Sequence, residues 1–155
     1  MAAIRVARVG PESAQVVFDL VDRLLQELGE EGDETGALNT ASLAATWHAD
    51  PARQFVFVAF AQDESPVGLA TVVETFAFYA NGHYGIINEM YVTPSHRSKG
   101  VGAQLIEAVK DMGRHRGWRR IDVTAPESER WTRTKRFYER QHFVFTGPKL
   151  KCLLS

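Results

Sequence analysis

The sequence predicts a mixed α/β (α+β) domain, a central, mostly antiparallel twisted sheet flanked by about four helices. Three observations predict it. Apolar residues recur at helical spacing in two separate stretches, 13–28 and 100–116. Short runs of β-branched and aromatic residues, bounded by turn residues, lie before, between and after them. The order that results, β α α β β β α β α β β, combines hairpins with β–α–β crossovers, the mark of helices packed on a sheet. At 155 residues the chain is long enough to bury a proper core, and it is expected to form one domain, residues 1–155.

The elements follow in order. "IRVAR" (4–8) alternates as a first strand, and "GPES" (10–13) reads as a turn and helix start. From 13 to 28, Val17, Leu20, Val21, Leu24, Leu25 and Leu28 recur at three and four, which makes one buried helical stripe. "GEEGDETGALN" (29–39) is an acidic, glycine-rich loop. A second helix over 40–49 ends at Asp50-Pro51, because the residue before a proline disfavours the α conformation. "QFVFVAFA" (54–61) is a strand with "QDESPVG" as its turn. "GLATVVETFAFYA" (68–80) and "YGIINEMYV" (84–92) form a long hairpin through Asn81-Gly82-His83. The helix over 100–116 puts Val101, Leu105, Ile106, Val109 and Met112 on one face, with Gly113 and Gly117 where it should end. "RRIDVTA" (119–125) is a strand, 128–141 a helix, and "HFVFTG" and "KLKCLL" are two closing strands.

Composition narrows the setting. The chain is 45% hydrophobic and 24% charged with a net charge of −1, ordinary for a soluble globular protein. Cys152 is the single cysteine, so an internal disulfide is excluded and a reducing cytoplasm is the expected home. No apolar run approaches the roughly 18 residues of a membrane span, and "MAAIRVARVGPESA" lacks the apolar region of a signal peptide. The near-neutral total hides an asymmetry: residues 1–80 hold four Lys/Arg and twelve Asp/Glu, residues 81–155 fourteen and seven. Either the halves neutralise each other in the fold, or they serve ligands of opposite sign. His83, His96 and His115 have no metal-ligand spacing with each other or with Cys152, so no metal is expected. The basic C-terminal half is not interleaved with a strand platform of stacking aromatics, which argues against nucleic acid.

"YVTPSHRSKGVGAQLIEAV" (91–109) carries the chemistry. It joins a strand to a helix through a basic, glycine-containing loop, the layout of an anion site. A triphosphatase loop requires G-x-x-x-x-G-K-[ST], and no glycine here precedes a Lys-Ser/Thr pair. A dinucleotide fingerprint requires G-x-G-x-x-G, and Leu105 stands at its third glycine. What remains is R-x-x-G-x-G: Arg97, Ser98, Lys99, Gly100, Val101, Gly102. Glycines there let the backbone approach an anion, and the helix N-terminus adds partial positive charge. A pyrophosphate fits; a plain glycine-rich helix entry with solvated basic residues is the alternative.

"EMYVTPSHRSKGVGAQLIEAV" resembles the acetyl-coenzyme A motif of the GCN5-related N-acetyltransferase (GNAT) superfamily, and "FYERQHFV" (137–144) is similar to the family's "FYEK-GF" segment. The element order is that of the GNAT fold as well. The resemblance implies acetyl-CoA as co-substrate, with no metal. It implies that backbone amides of Arg97, Ser98, Lys99, Gly100, Val101 and Gly102 hold the pyrophosphate. Main-chain groups of Met90, Tyr91 and Val92 would pair with the pantetheine arm, the Val92 amide polarising the thioester carbonyl. Glu89 falls where family members place a general base; strand alternation puts Ile87, Glu89 and Tyr91 on one face and Ile86, Asn88, Met90 and Val92 on the other. A surface carboxylate paired with a nearby arginine is the other reading of Glu89. Tyr138 matches the tyrosine that serves as general acid near the sulfur; an aromatic anchor beside Phe137 is its alternative.

The chain departs from the family at three places. Trp131 and Thr134 stand where Asn and Ala are usual, and His142 replaces the glycine before Phe143, which puts a tight turn there in question. Arg130, Arg133, Lys135 and Arg136 form a basic cluster, either a solvated helix face or a site for the cofactor's 3′-phosphate. The resemblance implies that the segment joining the first two helices walls the acceptor site; it includes Glu27, Glu30, Glu31, Asp33 and Glu34, which would draw a cationic amine or simply be solvated. "TFAFY" (75–79) is an aromatic wall, part of the core, or a dimer surface. The expected activity is N-acetylation of a small-molecule or peptide amine by direct attack. Its rivals are transfer of another acyl group and a non-catalytic acyl-CoA-binding module; a homodimer is compatible with each.

Overall fold

A computed structural model of the chain describes residues 3–29, 37–125 and 131–154. Five strands form one sheet in chain order: β1 (Arg5–Val9), β2 (Gln54–Phe60), β3 (Pro66–Ala77), β4 (Gly82–Val92) and β5 (Ile121–Val123). Neighbours pair antiparallel except β4 and β5, which run parallel. Four helices, α1 (Ala14–Gly29), α2 (Thr40–Ala49), α3 (Val101–Arg116) and α4 (Thr132–Arg140), cover its two faces among the described residues. None of them is long and apolar enough to cross a membrane.

Period-2 alternation in β2 explains the two layers. Phe55, Phe57 and Ala59 face α3, joining Val101, Leu105, Ile106 and Val109 in one core. Val56 and Val58 face the other way, packing with Val17 and Leu20 of α1 and Trp47 of α2. A strand buried on both faces reads as an unbroken apolar run, as "FVFVAF" does. The second helix occupies the expected residues for local reasons. The Asn39 side chain caps it by accepting from the Ser42 amide at 3.1 Å, and Asp50 ends it ahead of Pro51.

Several boundaries differ from expectation. The hairpin's first strand stops at Ala77, because Phe78–Ala80 coil into a 3-10 turn that Asn81 closes in the left-handed region at φ 56°. The third helix runs through Gly113, where a Cβ would lie 2.8 Å from the Trp118 ring, and ends at Gly117 with φ 77°. Arg116 holds Glu74 through two bonds of 2.6 and 2.9 Å, and Trp118 Nε1 donates to the same carboxylate. With the guanidinium bond as the main cause, the Glu74 carboxyl is lowered to about 2. The two closing strands do not form. Residues 143–154 carry no strand, leaving Val144, Phe145, Leu150, Leu153 and Leu154 exposed. Gly147 (φ 140°) and Pro148 only separate the two expected strands. β5 itself offers a template of only three residues instead of the expected seven.

A second correction concerns β4. Thr71 stands opposite Glu89 but Val72 stands opposite Ile87, so Asn88 is an extra residue in a β-bulge. The bulge reverses the alternation at that point. Ile87 joins the α3-side core and Tyr91 the α1-side core, while Met90 and Val92 pack on the α3 side. Ile87 and Glu89 therefore do not share a face.

Candidate active site

β5 pairs with β4 only at Gly85, Ile86 and Ile87, so the sheet splays open from Asn88 to Val92. Beyond the strand end, the Thr93 amide donates to the Val67 carbonyl at 2.9 Å. Antiparallel bonding alternates, so the amides of Met90 and Val92 face away from β3 and into this opening. The Val92 carbonyl is taken, by Arg97 Nε at 2.8 Å.

The loop that follows is an amide cradle. Ser98 (φ 62°) and Gly100 (φ 84°) are both left-handed, and alternation of backbone hand turns successive N–H groups inward. A Cβ on Gly100 would meet nothing within 4 Å, so the loop is open above it. Gly100 is the N-cap of α3 with no side-chain cap, leaving the first helical amides, including Val101 and Gly102, without intrahelical partners. Two residues of the motif have a second engagement. The Arg97 amide is spent on the Pro94 carbonyl at 3.4 Å. Gly102 is small for packing: a Cβ there would lie 3.0 Å from the Phe137 ring.

Glu89 sits half-buried on the α1 side. Its carboxylate accepts from the Thr71 hydroxyl, and its own amide donates to that oxygen at 3.0 Å. Burial raises its carboxyl above the usual range, with the Thr71 bond opposing. Among the described residues no ion pair reaches it, so the arginine-paired alternative has no partner here. Tyr138 lies 6% exposed on the opposite, α3 side, with Phe137 and Phe143 rings at 5.3 and 5.6 Å. Burial pushes its phenol well above the ordinary range. It lines a cavity of about 1460 Å³ that also touches Asn88, β5, the end of α3 and residues 141–149. Glu89 and Tyr138 thus approach the open edge of β4 from different faces.

The remaining sequence-predicted residues scatter. Glu27 belongs to α1, where it is paired with Arg97 at 2.6 Å. Glu30, Glu31, Asp33, Glu34 and Arg130 lie outside the described residues. Arg133, Lys135 and Arg136 are exposed, and Trp131 is half-buried at the start of α4. Phe76 and Phe78 of "TFAFY" are exposed at the hairpin tip, an eleven-residue strand away from Val92, and wall no part of this site. His142 makes the tight turn without a glycine, at φ 73°, with its amide on Glu139 and the Phe143 amide on Tyr138. Sequence reasoning missed Thr71 and the side-chain role of Arg97. Neither leaves a local signal, because each partner is 18 or 70 residues away.

This arrangement, a splayed parallel pair beside an amide cradle at a helix N-terminus, meets its counterpart in a comparison of families: the model of the acetyltransferase (GNAT) family matches residues 19–143. The chain belongs to that family. It is an acyl-CoA-dependent N-acetyltransferase, with acetyl-CoA the co-substrate the family implies. Solved structures of the same fold include an aminoglycoside acetyltransferase from an uncultured soil metagenomic sample, at 19% identity and TM-score 0.77 over 99% of both chains. A ribosomal-protein-alanine N-acetyltransferase from Brucella melitensis biovar Abortus is similar at 18% identity and TM-score 0.76, over 99% of this chain and 100% of that one. An integron cassette protein from the mobile metagenome of Cole Harbour Salt Marsh shares 22% identity, TM-score 0.75, over 96% and 89%. No curated protein matches the chain in sequence. The acetyltransferase offers a fit for its co-substrate: an uncapped helix N-terminus and unhindered Gly100 for phosphates, and two outward amides on β4 for an extended arm.

Proposed function

We propose that this acetyltransferase moves the acetyl group of acetyl-CoA to an amine by direct attack, with both substrates bound at once. The observation that carries the reading is the open edge of β4, which has a carboxylate on one face and a phenol on the other. Amides from Ser98 to Gly102, with Lys99 at the rim, hold the pyrophosphate. Met90, Tyr91 and Val92 line the pantetheine arm, and the Val92 amide stabilises the charge that develops on the thioester oxygen. Glu89 takes the proton that the acceptor ammonium must lose before attack, directly or through water. Its burial makes it a stronger base than an exposed carboxylate. Tyr138 stays protonated and supplies a proton to the departing thiolate. The bonds balance: N–C forms and C–S breaks; nitrogen loses two protons, one to Glu89 before attack and one after it, sulfur gains one, and the other passes to solvent.

An amine acceptor agrees with two relatives of the same fold, one named for aminoglycosides and one for the alanine of a ribosomal protein. A cationic small molecule or peptide terminus is the class we favour, drawn by the acidic N-terminal half of the chain. Calorimetry with acetyl-CoA is the test, and saturable binding is expected. Absence of binding at high protein concentration would refute the reading.

A further inference from the structure

Arg97 opens the R-x-x-G-x-G motif, yet its side chain leaves the loop. Its Nε donates to the Val92 carbonyl at 2.8 Å, and its terminal nitrogen to Glu27 Oε2 at 2.6 Å. The guanidinium carbon lies 5.5 Å from the centre of the Tyr91 ring. One planar group therefore ties the end of β4 to α1, between residues 70 positions apart. Both side chains are partly shielded, at 41% and 27% exposure. Glu27 also adds to the effect of burial in raising the Tyr91 phenol, with Arg97 and Arg23 opposing.

In a β-strand the N–H and C=O of one residue project to the same side. The carbonyl that Arg97 holds and the amide that faces the open edge both belong to Val92. They lie in adjacent peptide planes that meet at the Val92 Cα, so holding the carbonyl restrains the backbone that carries the amide. A guanidinium bonded at two of its nitrogens is a stiffer strut than a single ammonium contact.

We propose that Glu27 is a positioning residue for the acetyl group: through Arg97 it restrains the backbone at Val92 so that the Val92 amide meets the thioester carbonyl. The assignment rests on the acetyl-CoA reading above. Glu27 touches neither substrate in this scheme, and α1 becomes a brace for the reacting end of the cofactor site.

Two probes that differ only in the acetyl group, acetyl-CoA and CoA, test it by calorimetry without any acceptor. Wild type is expected to bind acetyl-CoA more tightly than CoA. Glu27→Ala should lose that preference, acetyl-CoA weakening by about fivefold, the worth of one neutral hydrogen bond, while CoA affinity holds. Glu27→Gln, which keeps an acceptor oxygen for Arg97, should retain part of the preference. An unchanged preference in Glu27→Ala overturns the proposal, as does joint weakening of both ligands with a fall in Tm, which marks a merely structural role. A wild type that binds both equally also overturns it. A wild type that binds neither overturns the proposed function itself.

Discussion

Replacing Thr71 with valine tests how the candidate base is held. Thr71 is 4% exposed, and valine matches its shape while removing the hydroxyl. That oxygen makes two bonds, donating to the Glu89 carboxylate and accepting from the Glu89 amide. The first is charge-assisted and contributes about 1.5–3 kcal/mol while the carboxyl is ionised; the second contributes about 1 kcal/mol at any pH. Burial raises the Glu89 carboxyl in the fold and Thr71 lowers it, so the variant's carboxyl must rise further. The folded variant then binds its proton more tightly than wild type. The extra loss of stability is full above the variant's folded-state pKa and fades as pH falls and both proteins become protonated. Urea denaturation across pH should therefore show a loss of about 3 kcal/mol at alkaline pH that shrinks to about 1 kcal/mol in acid. The acidic limb of kcat/KM should move to higher pH. A stability loss of the same size at every pH would refute the reasoning, because the hydroxyl would then be holding no ionised carboxylate.

Other substitutions probe separate parts of the account. Tyr138→Phe should lower turnover about 100-fold, the low end for a general acid, with acetyl-CoA affinity retained in calorimetry. His142→Gly relieves a left-handed residue at φ 73° and should stabilise by up to about 1 kcal/mol in chemical denaturation, since the strain of roughly 1–2 kcal/mol exceeds the entropy cost of glycine. Gly102→Ala places a methyl group 3.0 Å from the Phe137 ring; an overpacking cost of about 1–3 kcal/mol less the roughly 1 kcal/mol alanine gains in a helix should leave a net loss of up to about 2 kcal/mol, read as a lower Tm.

The elements legible in the sequence were those fixed by local chemistry. Asn39 and Pro51 bracket the second helix, and β2 announces its two-sided burial by an unbroken apolar run. The amide cradle was legible as R-x-x-G-x-G, although the left-handed Ser98 within it was not, because serine carries no signal for that conformation. Gly102 and Gly113 look alike in sequence to conformational glycines and are packing glycines, a difference that Phe137 and Trp118 decide from other elements. The bulge at Asn88 could not be read from "INEM", since it depends on how β3 and β4 register across the hairpin. The same limit hid the Thr71–Glu89 and Glu27–Arg97 pairs, whose partners meet only in the fold. Closing strands were expected at "HFVFTG" (142–147) and "KLKCLL" (149–154); apolar residues supply a strand's faces, while a strand also requires a free edge long enough to pair with.

The central claim is that the acetyl group passes from acetyl-CoA to an amine. The direct measurement is mass spectrometry of a panel of aminoglycosides, polyamines and peptides with free N-termini, incubated with enzyme and acetyl-CoA, while released CoA thiol is followed in parallel. The account predicts an acetylated amine that accumulates in step with the thiol, and less of both with Glu89→Gln. Thiol release with every amine left unmodified, or acetylation that Glu89→Gln leaves untouched, would contradict it.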